Sequence, residues 1–376
     1  MKPLYFDYNA TTPLLPQVRQ AMLPYLEEAY GNPGCGHAWG YRARQALELA
    51  RGQVAGLINC PPENLLFTSC ATESNNWVLF GLLAGDGPAH LVTTAIEHPA
   101  ILEPAKVLEA RGLQVTRVGV DDQGLVSPEE VRAACTPATR LISVMLANNE
   151  TGALQAVAEV AAWARARGIL THSDAAQAVG KIPVDVEALG VDFLTIAGHK
   201  LYAPKGVGAL YARQPSLLRP LLYGGGQEQG LRSGTENIPH LVGLGAACAL
   251  AAQDLPAEMT RQAELGAAFL GGLQGLGVDH VLHSALAPRL PGTMSIGFKG
   301  LKAGDILSGL VGYDVGVSAG AACHGDATTI SHVLAAMAVP GEYAEGTLRF
   351  SWGRPTSQAD VAELLRRLGL VLASLG

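Results

Sequence analysis

Short apolar runs recur through the first two-thirds of the chain, each followed by a stretch with helical apolar spacing. LLFTS (Leu65 to Ser69) precedes ESNNWVLFGLLAG, whose helix is expected to begin near Glu73. HLVTTA is followed by a helix-like stretch through Val107 and Leu108, and then by LQVTRVGV. LISVML (Leu141 to Leu146) precedes the helical EVAAWARARG, and ILTHSD, DFLTIAG and GVGALYA follow as buried strands. Short apolar strands separated by helices predict βαβ units and a mostly parallel sheet. In such sheets ligands gather beyond the carboxyl ends of the strands.

The texture changes after about Ala252. A helical stretch over Glu264 to Leu273 is followed by VLHS, TMSIGF, GVSAG and TLRFSWG, with helices between them and a final helix over Asp360 to Leu372. This predicts a smaller α+β domain. The division is a large domain over residues 14–252 and a small one built from residues 1–13 and 253–376. Leu241 to Ala252 reads as a buried helix, short of the ~20 residues that span a bilayer. No internal repeat or low-complexity linker interrupts the chain.

Composition narrows the picture further. Of 376 residues, 48% are hydrophobic and 16% charged, against about 25% charged in a typical domain. So little charge suggests that another subunit covers part of the surface. A net charge of −7 and no Lys/Arg run argue against nucleic acid or an anionic membrane as partner. The N-terminus lacks an apolar signal core, and the six cysteines include no C-x-x-C pair, which suggests reduced thiols in the cytoplasm.

Two residues carry candidate chemistry. Asp174 and Lys200 each follow an apolar strand, in THSDAAQAVG and TIAGHKLYAPKG. A lysine there can form a Schiff base with an aldehyde cofactor, and an aspartate can keep a pyridinium nitrogen protonated. Taken singly, a surface lysine and a helix-capping aspartate are the commoner outcomes. Gly198 and His199 before the lysine add close backbone approach and a phosphate donor. In TSCATESNN a strand ends at small residues and a helix begins. Its free N–H groups and the Thr72 hydroxyl would attract a phosphate, although an ordinary capping box has the same letters.

With YFDYNATTP, GNP with His37, TSCATESNN, EHPA, NNETG, SDAAQ, GHK, GGGQEQGLRSGTEN, GAACHGD and LRFSWGR in this order, the chain resembles the NifS/IscS-like cysteine desulfurases of the class V aminotransferase superfamily. The resemblance implies the aspartate aminotransferase-like fold (fold type I) with pyridoxal 5′-phosphate (PLP). It implies that Lys200 is the Schiff-base lysine, that Asp174 partners the pyridine nitrogen and that Gln177 contacts the ring's phenolic oxygen. His98 would stack on the ring and assist proton transfer, with Lys200 or His98 as the base at Cα. Ala71, Thr72 and His199 would contact the phosphate, joined by Thr235 from the other subunit of a homodimer. Arg349 and Asn149 would hold the substrate carboxylate, with Asn32 at that site's edge, and Cys323 would take up sulfur as a persulfide. The implied reaction turns L-cysteine into L-alanine and hands sulfur to an acceptor or scaffold protein of iron–sulfur cluster assembly.

Cys70 stands where the family usually has Gly, and Ala197 where many members have a phosphate-binding Ser. GAACHGD, MLANNETG and DFLTIAGHK are closer to selenocysteine lyases, so release of selenium from L-selenocysteine is the alternative reading. A catalytically inactive scaffold of the same fold ranks below it. Cys323 itself lies in a small, Gly-flanked segment beside His324, which suits a partly ionised nucleophile better than a packed core thiol. Cys35, Cys60, Cys135 and Cys248 read as packed small hydrophobes, and no Cys/His spacing indicates a metal.

Overall fold

The computed structural model describes residues 2–85, 89–320 and 330–375. A seven-stranded sheet runs in the order Leu65–Thr68, Gly208–Ala212, Phe193–Ala197, Leu170–Asp174, Thr139–Ser143, His90–Thr94 and Gln114–Val118. Gly208–Ala212 is antiparallel to both of its neighbours, and the remaining pairs are parallel.

Successive residues of each strand feed two different cores. Leu65, Val92, Ile142, Leu194 and Tyr211 pack on one face with Val54, Leu241, Leu244 and Cys248. Their neighbours Leu66, Leu91, Leu141, Phe193 and Leu210 pack on the other with Trp77, Leu79 and Ile101. A sheet covered by helices on both faces buries successive side chains, which is why its strands carry adjacent apolar residues in place of a polar–apolar alternation.

A second sheet is antiparallel, in the order Thr347–Ser351, Thr293–Phe298 and His280–Leu282. It is apolar on one face only. Met294, Ile296, Phe298, Leu348 and Phe350 pack with Leu4, Phe6, Phe269, Ile306 and Leu364. The alternate positions, Thr293, Ser295, Thr347, Arg349 and Ser351, form a buried polar face. Leu4–Tyr5 pairs in parallel with Val315–Gly316, which fastens the N-terminus to this region.

The two helical stretches read on either side of Ala252 are one helix, Ile238–Gln274, 37 residues long. Pro256 looks like a break in the sequence, yet the helix continues through it. By length and composition it could cross a membrane, but half of its most apolar window is buried in the protein. It packs on helices Pro16–Glu27, Ala38–Leu57 and Gln358–Leu375.

Candidate active site

The sheet delivers the first set of polar groups at its strand ends. Asp174 closes Leu170–Asp174 and is buried. Its Oδ2 accepts from Asn75 Nδ2 at 2.6 Å and its Oδ1 from the Ala176 N–H at 2.9 Å, so the carboxylate has one fixed orientation. Lys200 ends the turn Gly198–Lys200 that follows Phe193–Ala197. A Cβ on Gly198 would lie 2.8 Å from both the Val207 carbonyl oxygen and Cγ1, so only glycine lets this turn pack.

Helix Ala71–Leu83 begins two residues before the expected Glu73. Cys70 has no oxygen with which to cap it. Glu73 closes the turn instead, accepting the Ser69 N–H at 2.8 Å. The first N–H groups of the helix therefore start at Ala71 and Thr72. His98 caps helix Pro99–Ala110, its Nδ1 accepting from the Ala100 N–H at 3.1 Å. Burial holds this imidazole below the usual histidine range; Asp174 opposes that, while Lys200 and His332 reinforce it. Glu97, next to it, is wholly buried, and burial pushes its carboxyl up to about 8. Its Oε1 accepts from Thr94 Oγ1 at 2.9 Å and from the Met145 N–H at 2.8 Å.

The second set comes from the N-terminal strap, residues 7–12, which lies within the motif YFDYNATTP and holds none of the candidate site residues named from the sequence. Lys200 Nζ donates to the carbonyls of Asn9 and Ala10, the latter at 2.8 Å. Gln177 Nε2 donates to Asn9 O at 2.9 Å. Lys181 Nζ donates to Asn9 Oδ1 at 2.9 Å and to Gln177 Oε1 at 2.6 Å. Asn9 Nδ2 in turn donates to Asn149 O and Thr293 Oγ1. Asp7 pairs with the buried Arg349 at 2.7 Å, and Arg349 also donates to Asn149 O at 2.9 Å. Its Nε is buried without a hydrogen-bond partner among the described residues. Thr12 Oγ1 donates to His199 O, and His199 Nδ1 lies 3.2 Å from Thr11 Oγ1. Burial, reinforced by Lys200, Lys205 and Lys181, holds the His199 imidazole down to about 4.

These groups enclose a cavity of about 260 Å³. Ala71, Thr72, His98, Asn149, Asp174, Gln177, His199, Lys200 and Arg349 line it, together with Asn9, Ala10, Met145 and the two departures Cys70 and Ala197. Asn32 and Thr235 are not among its lining residues. Asn32 turns its side chain back onto the Gly34 N–H at 2.8 Å, and Thr235 is exposed. The segment before Thr235 is nonetheless anchored. Glu228 accepts from both terminal guanidinium nitrogens of Arg51 at 2.9 Å, and Arg232 pairs with Glu73 at 2.8 Å. Cys323 lies outside the described residues. Cys248 is buried in the core, with Cys60 and Cys135 packed against it, and among the described residues no cluster of His, Cys, Asp or Glu could hold a metal.

The sequence pattern described as Aminotransferase class-V matches residues 4–364. The chain belongs to this family. Among class-V aminotransferase relatives, Cysteine desulfurase 2 of Trichormus variabilis is 41% identical over 376 residues, covering all of this chain and 94% of that protein. A solved NifS-like protein superimposes with a TM-score of 0.93 at 36% identity, covering 100% of both chains. SspA in complex with cysteine superimposes with a TM-score of 0.84 at 34% identity, covering 93% of this chain and 99% of that one. The class-V fold accounts for the mostly parallel central sheet and the strand-end position of the cavity.

Proposed function

We propose that the chain is a PLP-dependent cysteine desulfurase that converts L-cysteine to L-alanine. One observation carries the assignment: an amine (Lys200), a fixed carboxylate (Asp174) and a buried guanidinium (Arg349) line a single cavity. The cysteine desulfurase relatives and the cysteine-bound neighbour support this substrate over selenocysteine. The donor set fits PLP. Asp174 suits a protonated ring nitrogen, Gln177 the ring oxygen, and the helix start at Ala71–Thr72 with His199 the phosphate. When bound, PLP supplies an aldehyde that condenses with amines and a ring that takes up an electron pair from Cα.

The roles of the chain's own groups follow from their bonds. Arg349, aligned by Asp7 and Asn149 O, holds the substrate carboxylate. Nδ1 of His98 is occupied by the Ala100 N–H, so the neutral ring carries its hydrogen on Nε2. Nε2 of His98 is therefore a hydrogen-bond donor without a free lone pair, and abstraction at Cα falls to Lys200. Cys323 takes the sulfur. Its S–S bond forms as the substrate C–S bond breaks, and protonation of the carbon left behind gives alanine.

Alanine release from L-cysteine by PLP-loaded protein tests this reading. Lys200→Ala should remove both the lysine-dependent visible absorbance and turnover, and full activity in that variant overturns the assignment. Cys323→Ala should abolish alanine release from L-cysteine while leaving measurable release from L-selenocysteine. We take residues 14–252 as the cofactor-holding unit, and residues 1–13 with 253–376 as the unit carrying Arg349 and Cys323. We take the active form to be a homodimer in which Thr235 serves the partner's phosphate site. The low charged fraction and the exposed Tyr30, Trp39, Tyr41 and Tyr223 support it. A fully active monomer with bound PLP would sink the dimer.

A further inference from the structure

Lys181 is a lysine that the proposed chemistry does not use. Gly180, at φ +77°, turns the chain so that Lys181 folds back beneath Gln177, four residues earlier. Its Nζ lies among cations. Burial holds it well below the usual lysine range, and Lys200 and Arg349 reinforce this. His199 feels the same charge in return. A neutral amine has two N–H groups, and both find acceptors here: Asn9 Oδ1 at 2.9 Å and Gln177 Oε1 at 2.6 Å. The bonds therefore survive loss of the charge.

The contact with Gln177 has a directional consequence. A primary amide can be turned end for end in the same space, and its neighbours decide which end is which. Turning this one would set its Oε1 against the Asn9 carbonyl oxygen and take from the Lys181 N–H its acceptor, so Lys181 and Asn9 O together fix which end is which. Fixed as it is, Nε2 spends one N–H on Asn9 O at 2.9 Å and keeps a second. Gln177 lines the cavity, whereas Lys181 is not among its lining residues.

We propose that Lys181 is a positioning residue that orients the Gln177 amide and so presents its second Nε2–H to the ring oxygen of the bound cofactor. This rests on the PLP reading above. Without that donor the ring oxygen becomes more basic and holds the neighbouring proton of the lysine-bound cofactor more tightly.

The experiment is a pH titration of the visible absorbance of PLP-loaded protein. Lys181→Met should raise the midpoint by about one pH unit, the size of one hydrogen bond to a charged group. Gln177→Leu should raise it equally, and the double variant should go no further, because both act through one bond. Lys181→Arg, which keeps the N–H donors, should titrate like the wild type. No shift in Lys181→Met, or a double variant showing the sum of the two, overturns the inference. Should Lys181→Met fail to fold, Lys181→Ala is read in its place: the Gln177→Leu midpoint upholds the orienting role, and a wild-type midpoint overturns it. Wild-type protein that forms no such absorbance with PLP contradicts the cofactor reading itself, a separate result.

Discussion

Asp174, His98 and Lys200 stand at strand ends or in the turns just after them, whereas Asp7, Asn9 and Ala10 reach the same cavity from the start of the chain. The first group is aligned by a sheet packed on both faces, so its placement follows from the same apolar runs that build the core. The second is held by hydrogen bonds between residues 140 to 342 positions apart. It joins the polar face of the small sheet to the turn that carries Lys200. Half of the site is thus a by-product of sheet formation, and half exists only once distant segments have met.

The largest test of that contrast is Asp7→Ala. It leaves the guanidinium of Arg349, 2% exposed, without its counter-ion. Breaking such a pair should lower unfolding free energy in urea by about 3 kcal/mol, and the loosened Arg349 should raise KM for L-cysteine. A stability change within about 0.5 kcal/mol, typical of surface substitutions, would mean that the strap does not hold the site together.

Glu97→Gln probes the strand-end region. The folded state holds this proton up to about pH 8, whereas a free glutamate releases it near 4.5. Between these values the folded protein carries the extra proton, so Glu97 contributes stability that is present at low pH and lost as pH rises through 8. The loss is about 1 kcal/mol per pH unit. The glutamine variant lacks this dependence, so its stability relative to the wild type should climb with pH across the window. A constant difference from pH 5 to 8 would refute the buried neutral acid. The smallest effect belongs to Thr12→Val. Its hydroxyl donates to His199 O and accepts from the Tyr202 N–H, each at 2.9 Å. Thermal or urea unfolding should report a loss of about 1–2 kcal/mol.

The same contrast explains what the sequence made legible. Leu65–Thr68, His90–Thr94 and Phe193–Ala197 stand out because burial on both faces leaves no charged residue inside them and places Leu, Val, Phe and Ile at successive positions. Asp174 and Lys200 stand out because a polar residue ends each run. The onset of helix Ala71–Leu83 was displaced because Cys70 cannot cap with an oxygen, and the closing carboxylate comes from within the first turn. The strap is legible as the motif YFDYNATTP, but its contacts in the site are not, for a different reason. Two of its strongest ties are the backbone carbonyls of Asn9 and Ala10, which every residue type has. Asp7 and Glu97 fall inside the quoted segments YFDYNATTP and EHPA but, like Lys181, carry no legible role, because each acts through a partner that only the folded chain brings near. The unbroken helix after Asn237 was hidden by Pro256, a residue that usually ends or kinks a helix.

That helix, Ile238–Gln274, has a mechanical meaning. At 1.5 Å per residue, its 37 residues make a rod about 55 Å long. Leu241 and Leu244 are embedded in the core of the large sheet, and Leu265, Phe269 and Leu273 in that of the small one. A load on either sheet is carried along one axle to the other, with a soft point at Pro256, where the ring removes a backbone bond. A protease cut there would leave each half with only part of a shared spine, so neither fragment would keep the packing it has in the whole.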